Sequence, residues 1–143
     1  MRLVIVPSLT FSKQIKYPDD DAGIQIDITL STDEENFIKV IAKLDTGSTF
    51  CIFQRRFAEA LKLNVEEGER ESVRTAKGNF TAFGHEITLK CSDMEWATTV
   101  YLAQDESFPI NVVGRRGFLQ MLKLGLIEYE QMLYLSPYIE DIA

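Results

Sequence analysis

The sequence predicts an all-β, closed barrel-like domain, and three observations carry that prediction. Short segments alternate apolar and polar residues with period two, as half-buried strands do. Tight-turn residues, Gly with Asn, Asp or Ser, punctuate those segments. Helical spacing is confined to one or two brief stretches, which argues against alternating βα units. At 143 residues the chain reads as a single domain over residues 1–143, large enough to bury a core.

Taken in order, Met1-Arg2-Leu3-Val4-Ile5-Val6-Pro7 reads as an edge strand, being too short for a signal-peptide core. Residues 24–30, Ile-Gln-Ile-Asp-Ile-Thr-Leu, alternate as a strand, and the polar cluster 31–36 turns the chain into a second one, Phe37–Leu44. Residues 49–53 are again strand-like, and 55–63 predict a short helix whose core side is Phe57, Ala58, Leu61 and Leu63. Residues 66–70 read as a charged, solvated loop. Residues 72–76 and 81–90 predict a hairpin joined through Lys77-Gly78-Asn79-Phe80, which carries Gly/Asn turn chemistry. A strand over 96–102, a turn at 105–107 and an apolar run over 109–113 follow, the run ended by Gly114. Residues 116–122 suggest one or two helical turns, and 124–129 with 132–136 a terminal hairpin.

Composition narrows the function. A net charge of -7, with no basic stripe, argues against nucleic acid as a partner. No apolar run approaches the ~20 residues that span a bilayer, so no membrane partner is expected. Cys51 and Cys91 make no disulfide framework; both are expected to be buried, in a reduced, cytoplasmic setting. His85 is the sole histidine and nothing in the sequence places it beside a cysteine, so neither a metal site, a cofactor nor a thiol nucleophile is expected. Asp19-Asp20-Asp21 lacks the spaced ligands and closing Glu of a calcium loop.

The chemistry points to Asp45-Thr46-Gly47-Ser48, entered straight from the strand Phe37–Leu44. Thr46 offers a hydroxyl to fix the loop, Gly47 lets the backbone turn and approach a ligand, and Ser48 adds a further donor. A lone solvated Asp is already ionised at neutral pH and is a poor acid catalyst. Two carboxylates held close share one proton and titrate as a unit, which supplies an acid and a base together. The motif occurs once, so one chain supplies one half of such a pair.

These residues resemble the single-domain, retroviral-type (retropepsin-like) aspartic proteases. Three features carry the resemblance: the strand into Asp45-Thr46-Gly47-Ser48, the hairpin around Lys77-Gly78-Asn79, and Val112-Val113-Gly114-Arg115 followed by Gly117-Phe118-Leu119. The resemblance runs from about residue 24 to 136, and it implies a closed β-barrel-like acid protease fold with a flap hairpin. It implies a homodimer hydrolysing a peptide or protein substrate, with Asp45 of each copy as the catalytic carboxylate. Thr46, Gly47 and Ser48 would support the catalytic loop, and Lys77, Gly78 and Asn79 would form a flap over the substrate. Val112, Val113, Gly114 and Arg115 would thread beside the catalytic loop and support it.

The sequence departs from the viral pattern at Thr49, where viral members often carry an acid that pairs with the Arg after the downstream Gly. Arg115 lacks that partner; Asp105 and Glu106 are candidate substitutes. The viral chain termini interleave into one sheet, a role that falls here on residues 132–136. A second reading follows from Thr49: a catalytically silent dimeric module that keeps the fold and binds extended peptides.

Overall fold

The computed structural model describes residues 3–139. Among them, β1 (Lys13–Lys16), β2 (Gln25–Ser31), β3 (Phe37–Leu44) and β4 (Ile52–Phe53) precede the short helix α1 (Phe57–Ala60). After α1 come β5 (Glu69–Thr75), β6 (Gly78–Cys91), β7 (Met94–Ala103), β8 (Val112–Val113), β9 (Leu122–Ile127) and β10 (Met132–Pro137). One sheet runs in the order β2-β3-β8-β4-β7-β6-β5, and an added β2–β6 pairing closes six of its strands into a ring. The second sheet has the order β1-β10-β9. An all-β, barrel-like architecture is what the sequence pattern predicted.

Period-two alternation explains the ring. Ile26, Ile28 and Leu30 of β2 and Val40, Ala42 and Leu44 of β3 point inward and are buried, while Asp27, Lys39 and Ile41 between them face out. The two strands pair antiparallel over their whole length, from Gln25↔Lys43 to Ser31↔Phe37. The inner faces meet Leu89, Val100, Leu102 and Phe118 in one core, which also takes in Cys51 and Cys91. Full burial of such side chains contributes roughly 1.5–3 kcal/mol each.

Several local expectations change. The helix expected over 55–63 is regular only at Phe57–Ala60, because Lys62 takes a left-handed conformation (φ 57°) and its N–H turns back to Glu59 O. Its core side is as expected, with Phe57, Ala58 and Leu61 buried and Leu63 packed against the core. The strand expected over 49–53 is confined to Ile52–Phe53, since residues 48–50 are drawn into the loop after Asp45. The loop expected at 66–70 is partly ordered: Val65–Glu67 form a 3-10 turn, and Glu69 and Arg70 already pair with Gly84 and Phe83. Residues 116–122 hold only a 3-10 turn, Leu119–Met121, because the chain reverses at Gly117 (φ 96°).

The N-terminal edge strand is displaced. Residues 3–7 are exposed and carry no regular structure, and Met1 and Arg2 lie outside the described residues. The edge is β1 instead, which pairs with β10 from Lys13↔Leu135 to Lys16↔Met132. On its other side β10 pairs with β9, forming the predicted terminal hairpin. Both edges of β10 are therefore occupied within the chain, which leaves residues 132–136 no open edge to share with a second copy. Buried Ser136 ties the N-terminal segment down by accepting the Ser12 N–H at 2.7 Å.

Candidate active site

β3 delivers Asp45 to the end of the ring. Its last residues pair in parallel with β8, Lys43↔Val112 and Leu44↔Val113, and β8 pairs on its other edge with β4 at Ile52↔Val112. Val112-Val113 thus threads between the strand entering the Asp45 loop and the strand leaving it. The Asp45 N–H donates to Val113 O at 3.0 Å, which fixes the loop to β8.

The loop is held from within and from beneath. The Gly47 N–H donates to Asp45 Oδ1 at 2.9 Å, and the Ser48 N–H donates to Asp45 O at 3.1 Å. The Ser48 hydroxyl is engaged by Phe50 O at 2.7 Å. Asp45 is half-buried, with Thr46 and Gly47 exposed beside it. Arg115 and Arg116 donate their N–H groups to Ser48 O and Thr49 O at 2.8 and 2.9 Å. The approach is so close that a Cβ on Gly114 would lie 2.5 Å from both Ser48 O and Phe50 O, so only glycine fits there.

Cys51 adds a tie that sequence reasoning did not assign. Its fully buried thiol accepts the Gly114 N–H at 3.4 Å and donates to Arg116 O at 3.3 Å. Burial pushes this thiol up to about 11, which keeps it protonated and unreactive. Asn111 braces the same region, accepting the Gln54 N–H and donating to Ile41 O.

Above Asp45 lies a cleft of about 520 Å³. Its floor is Asp45, Ser48, Thr49, Phe50, Ile52 and Val112; the β5–β6 hairpin supplies Ser72 to Ala76 and Phe80, and the β7–β8 loop supplies Phe108 and Ile110. Two tilted aromatic pairs stiffen the walls, Phe50–Tyr101 at 4.8 Å and Phe80–Phe108 at 4.9 Å between centroids. Burial raises the Tyr101 hydroxyl pKa, helped by Glu71 and Glu69 and opposed by Arg116.

Most of the residues expected at the site converge here, with two qualifications. Lys77, Gly78 and Asn79 form the hairpin tip, outside the cleft lining, and Gly78 takes the left-handed φ of 118° that its turn requires. The hairpin residues that meet the cleft are Ser72 to Ala76 and Phe80, on either side of the tip. Arg115 acts through its backbone: its side chain is exposed, and neither Asp105 nor Glu106 ion-pairs with it among the described residues. Asp105 instead caps its own turn by accepting the Ser107 N–H. Phe50, Phe108 and Ile110 went unassigned as cleft residues in the sequence; the visible signals were the strand expected over 49–53, which holds Phe50, and the apolar run over 109–113, which holds Ile110.

A family model described as aspartyl protease matches residues 34–116, more than half of the chain, and the chain belongs to that family. The fold is retropepsin-like: a retropepsin-like aspartic protease from Rickettsia conorii superposes with a TM-score of 0.64 at 15% identity, covering 87% of this chain and 99% of that one. EIAV protease complexed with the inhibitor HBY-793 superposes with a TM-score of 0.51 at 18% identity, covering 66% of this chain and 84% of that one. No curated protein sequence matches the chain.

Proposed function

We propose that the chain is an aspartic endopeptidase that works as a homodimer, with Asp45 of each copy meeting its counterpart across a two-fold axis. One observation carries this reading: among the described residues, Asp45 is the only carboxylate lining the 520 Å³ cleft. The chemistry of the family needs two, and an isologous dimer supplies the second without any new residue. Membership of the aspartyl protease family supports the reaction class, and the inhibitor complex of the EIAV protease supports ligand binding in a fold of this kind.

In the proposed mechanism the two carboxylates share one proton, because like charges that close do not both ionise. The ionised carboxylate removes a proton from a water held between them, and the water oxygen bonds to the peptide carbonyl carbon. The protonated carboxylate meanwhile donates to the carbonyl oxygen. As the tetrahedral intermediate collapses, the carboxyl that took the water proton gives it to the amide nitrogen, the C–N bond breaks, and the other carboxylate takes a hydroxyl proton from the new acid, restoring the shared proton. Thr46, exposed beside Asp45, is the residue assigned to lock the two loops together, and Gly47 and Ser48 support the loop. The peptide lies extended in the cleft under the hairpin whose tip is Lys77, Gly78 and Asn79, and hairpin closure excludes water. Val112, Val113, Gly114 and the Arg115 backbone hold the loop from beneath. Dimer contacts fall outside β10, whose two edges are filled.

One feature favours the alternative of a silent peptide-binding module: among the described residues, Arg115 is in no ion pair. A peptide-cleavage assay separates the two. An endopeptidase loses all cleavage with Asp45→Asn while the fold is retained, and a pepstatin-like compound competes for the cleft. A silent module shows no turnover from acid to neutral pH, and its peptide affinity is indifferent to the substitution.

A further inference from the structure

One guanidinium lines the cleft and two more stand beside it, and among the described residues none of the three is in an ion pair. Arg74 lines it from β5. Arg116 stands 5.9 Å above the ring of Phe50, itself a cleft residue, and acts electrostatically on Tyr101 behind that ring. Arg115 is its neighbour on the same turn. All three side chains are exposed, in a protein whose net charge is -7. Among the described residues the ion pairs within 4 Å are Lys13–Asp93 and Arg55–Glu66, neither of them at this cleft. Glu69 and Glu71 act on Tyr101 from β5 and make no ion pair with Arg116.

The turn that carries Arg115 and Arg116 is also rigidly mounted. Its N–H groups bond to Ser48 O and Thr49 O, its carbonyls accept the Gln120 N–H at Arg115 and the Cys51 thiol at Arg116, and Phe118 beyond it is fully buried. The fixed backbone sets where the guanidinium starts from, and its planar fork matches a ligand carboxylate.

We infer that Arg116 and Arg74 are specificity-determining residues that favour an acidic side chain, Asp or Glu, in the peptide bound in this cleft, outside the two residues that flank the scissile bond. This rests on reading the cleft as a peptide site and adds the substrate's charge to it. The apolar walls, Phe50, Ile52, Phe80 and Phe108, take the residues at the scissile bond, and the cations meet carboxylates further along an extended chain, where same-face side chains recur every ~7 Å.

The test uses peptides with one apolar centre that carry Glu, Gln or Lys at each position two to four residues from the scissile bond. For the whole protein at low salt, kcat/KM for the best Glu peptide exceeds that of its Gln counterpart by about 3- to 10-fold, the range for two solvent-screened ion pairs. The ratio falls toward one at ~0.5 M salt as screening tightens. Arg74→Gln with Arg116→Gln abolishes the ratio, and the charge reversal to Glu at both positions turns the preference toward Lys. Equal rates for Glu and Gln peptides, or a preference that survives the double substitution, overturn the inference while leaving the protease reading intact. If the double variant dissociates the dimer without altering the ratio, the arginines are interface residues and the inference again fails. If no peptide is cleaved, the protease reading falls, and fluorescence anisotropy of the same labelled peptides decides this one: tighter, salt-sensitive binding of the Glu peptide upholds it, and equal or absent binding overturns it.

Discussion

Gly114→Ala is the perturbation that bears most directly on how the Asp45 loop is held. The added methyl meets two backbone oxygens, Ser48 O and Phe50 O, each at 2.5 Å, about 0.9 Å inside the 3.4 Å at which ordinary contact begins. Neither oxygen sits on a flexible side chain, so the loop itself must move. Such overpacking costs about 1–3 kcal/mol, and straining the bonds from Arg115 and Arg116 to Ser48 O and Thr49 O adds about 1 kcal/mol. A total near 3 kcal/mol lowers Tm by roughly 10 °C in a domain of this size. On the proposed mechanism, displacing Asp45 by about 1 Å lowers kcat by about 10²-fold. Thermal melts read the first effect, and peptide cleavage, assayed well below the melting range, reads the second. Gly125→Ala is the control, because its methyl meets only the edge of the Phe11 ring, at 3.0 Å. A Gly114→Ala protein with the stability and turnover of the parent would refute the packing argument.

Other expectations follow from the same geometry. The thiols of Cys51 and Cys91, both pushed up to about 11 by burial, resist a thiol reagent at pH 8 until denaturant is added, and rapid labelling of the native protein would contradict their burial. Their folded pKa values lie above those of the unfolded chain, so their contribution is fully present below about pH 8.5 and is lost as pH rises toward 11; denaturant midpoints across that window should fall. Trp96→Phe keeps the ring beside Phe118 but removes the N–H donated to Gly117 O at 2.9 Å, and equilibrium unfolding should show a loss of about 1–2 kcal/mol. Leu133→Ala, in the fully buried middle of β10, should cost about 2–5 kcal/mol in the same assay.

What the sequence made legible follows from the range of the forces involved. β3 was readable to the residue because Val40, Ala42 and Leu44 alternate inward and the Asp45 loop then breaks the pattern. The terminal hairpin was readable because β9 and β10 are local partners. The fate of β10's other edge was not, since its partner β1 lies more than a hundred residues away and its register, Lys13↔Leu135, leaves no local trace. The helix expected after Gly114 failed because Phe118, Leu119 and Leu122 have helical spacing, yet the chain reverses at Gly117 and the Trp96 indole takes the Gly117 carbonyl. At the site, Asp45 and the Val112-Val113-Gly114 strand stood out because motif and order are sequence properties. The cleft walls did not, because Phe50, Phe80 and Phe108 come together only once the ring closes.

The most direct test of the central claim, one active site built from two Asp45 carboxylates, is a mixing experiment. Wild-type protein and Asp45→Asn protein are combined in equal amounts, allowed to exchange subunits, and assayed for peptide cleavage at constant total concentration. If each site needs one Asp45 from each copy, mixed dimers are inactive and activity settles near about a quarter of the all-wild-type value. Activity near about a half would mean that each chain works alone, and would contradict the account.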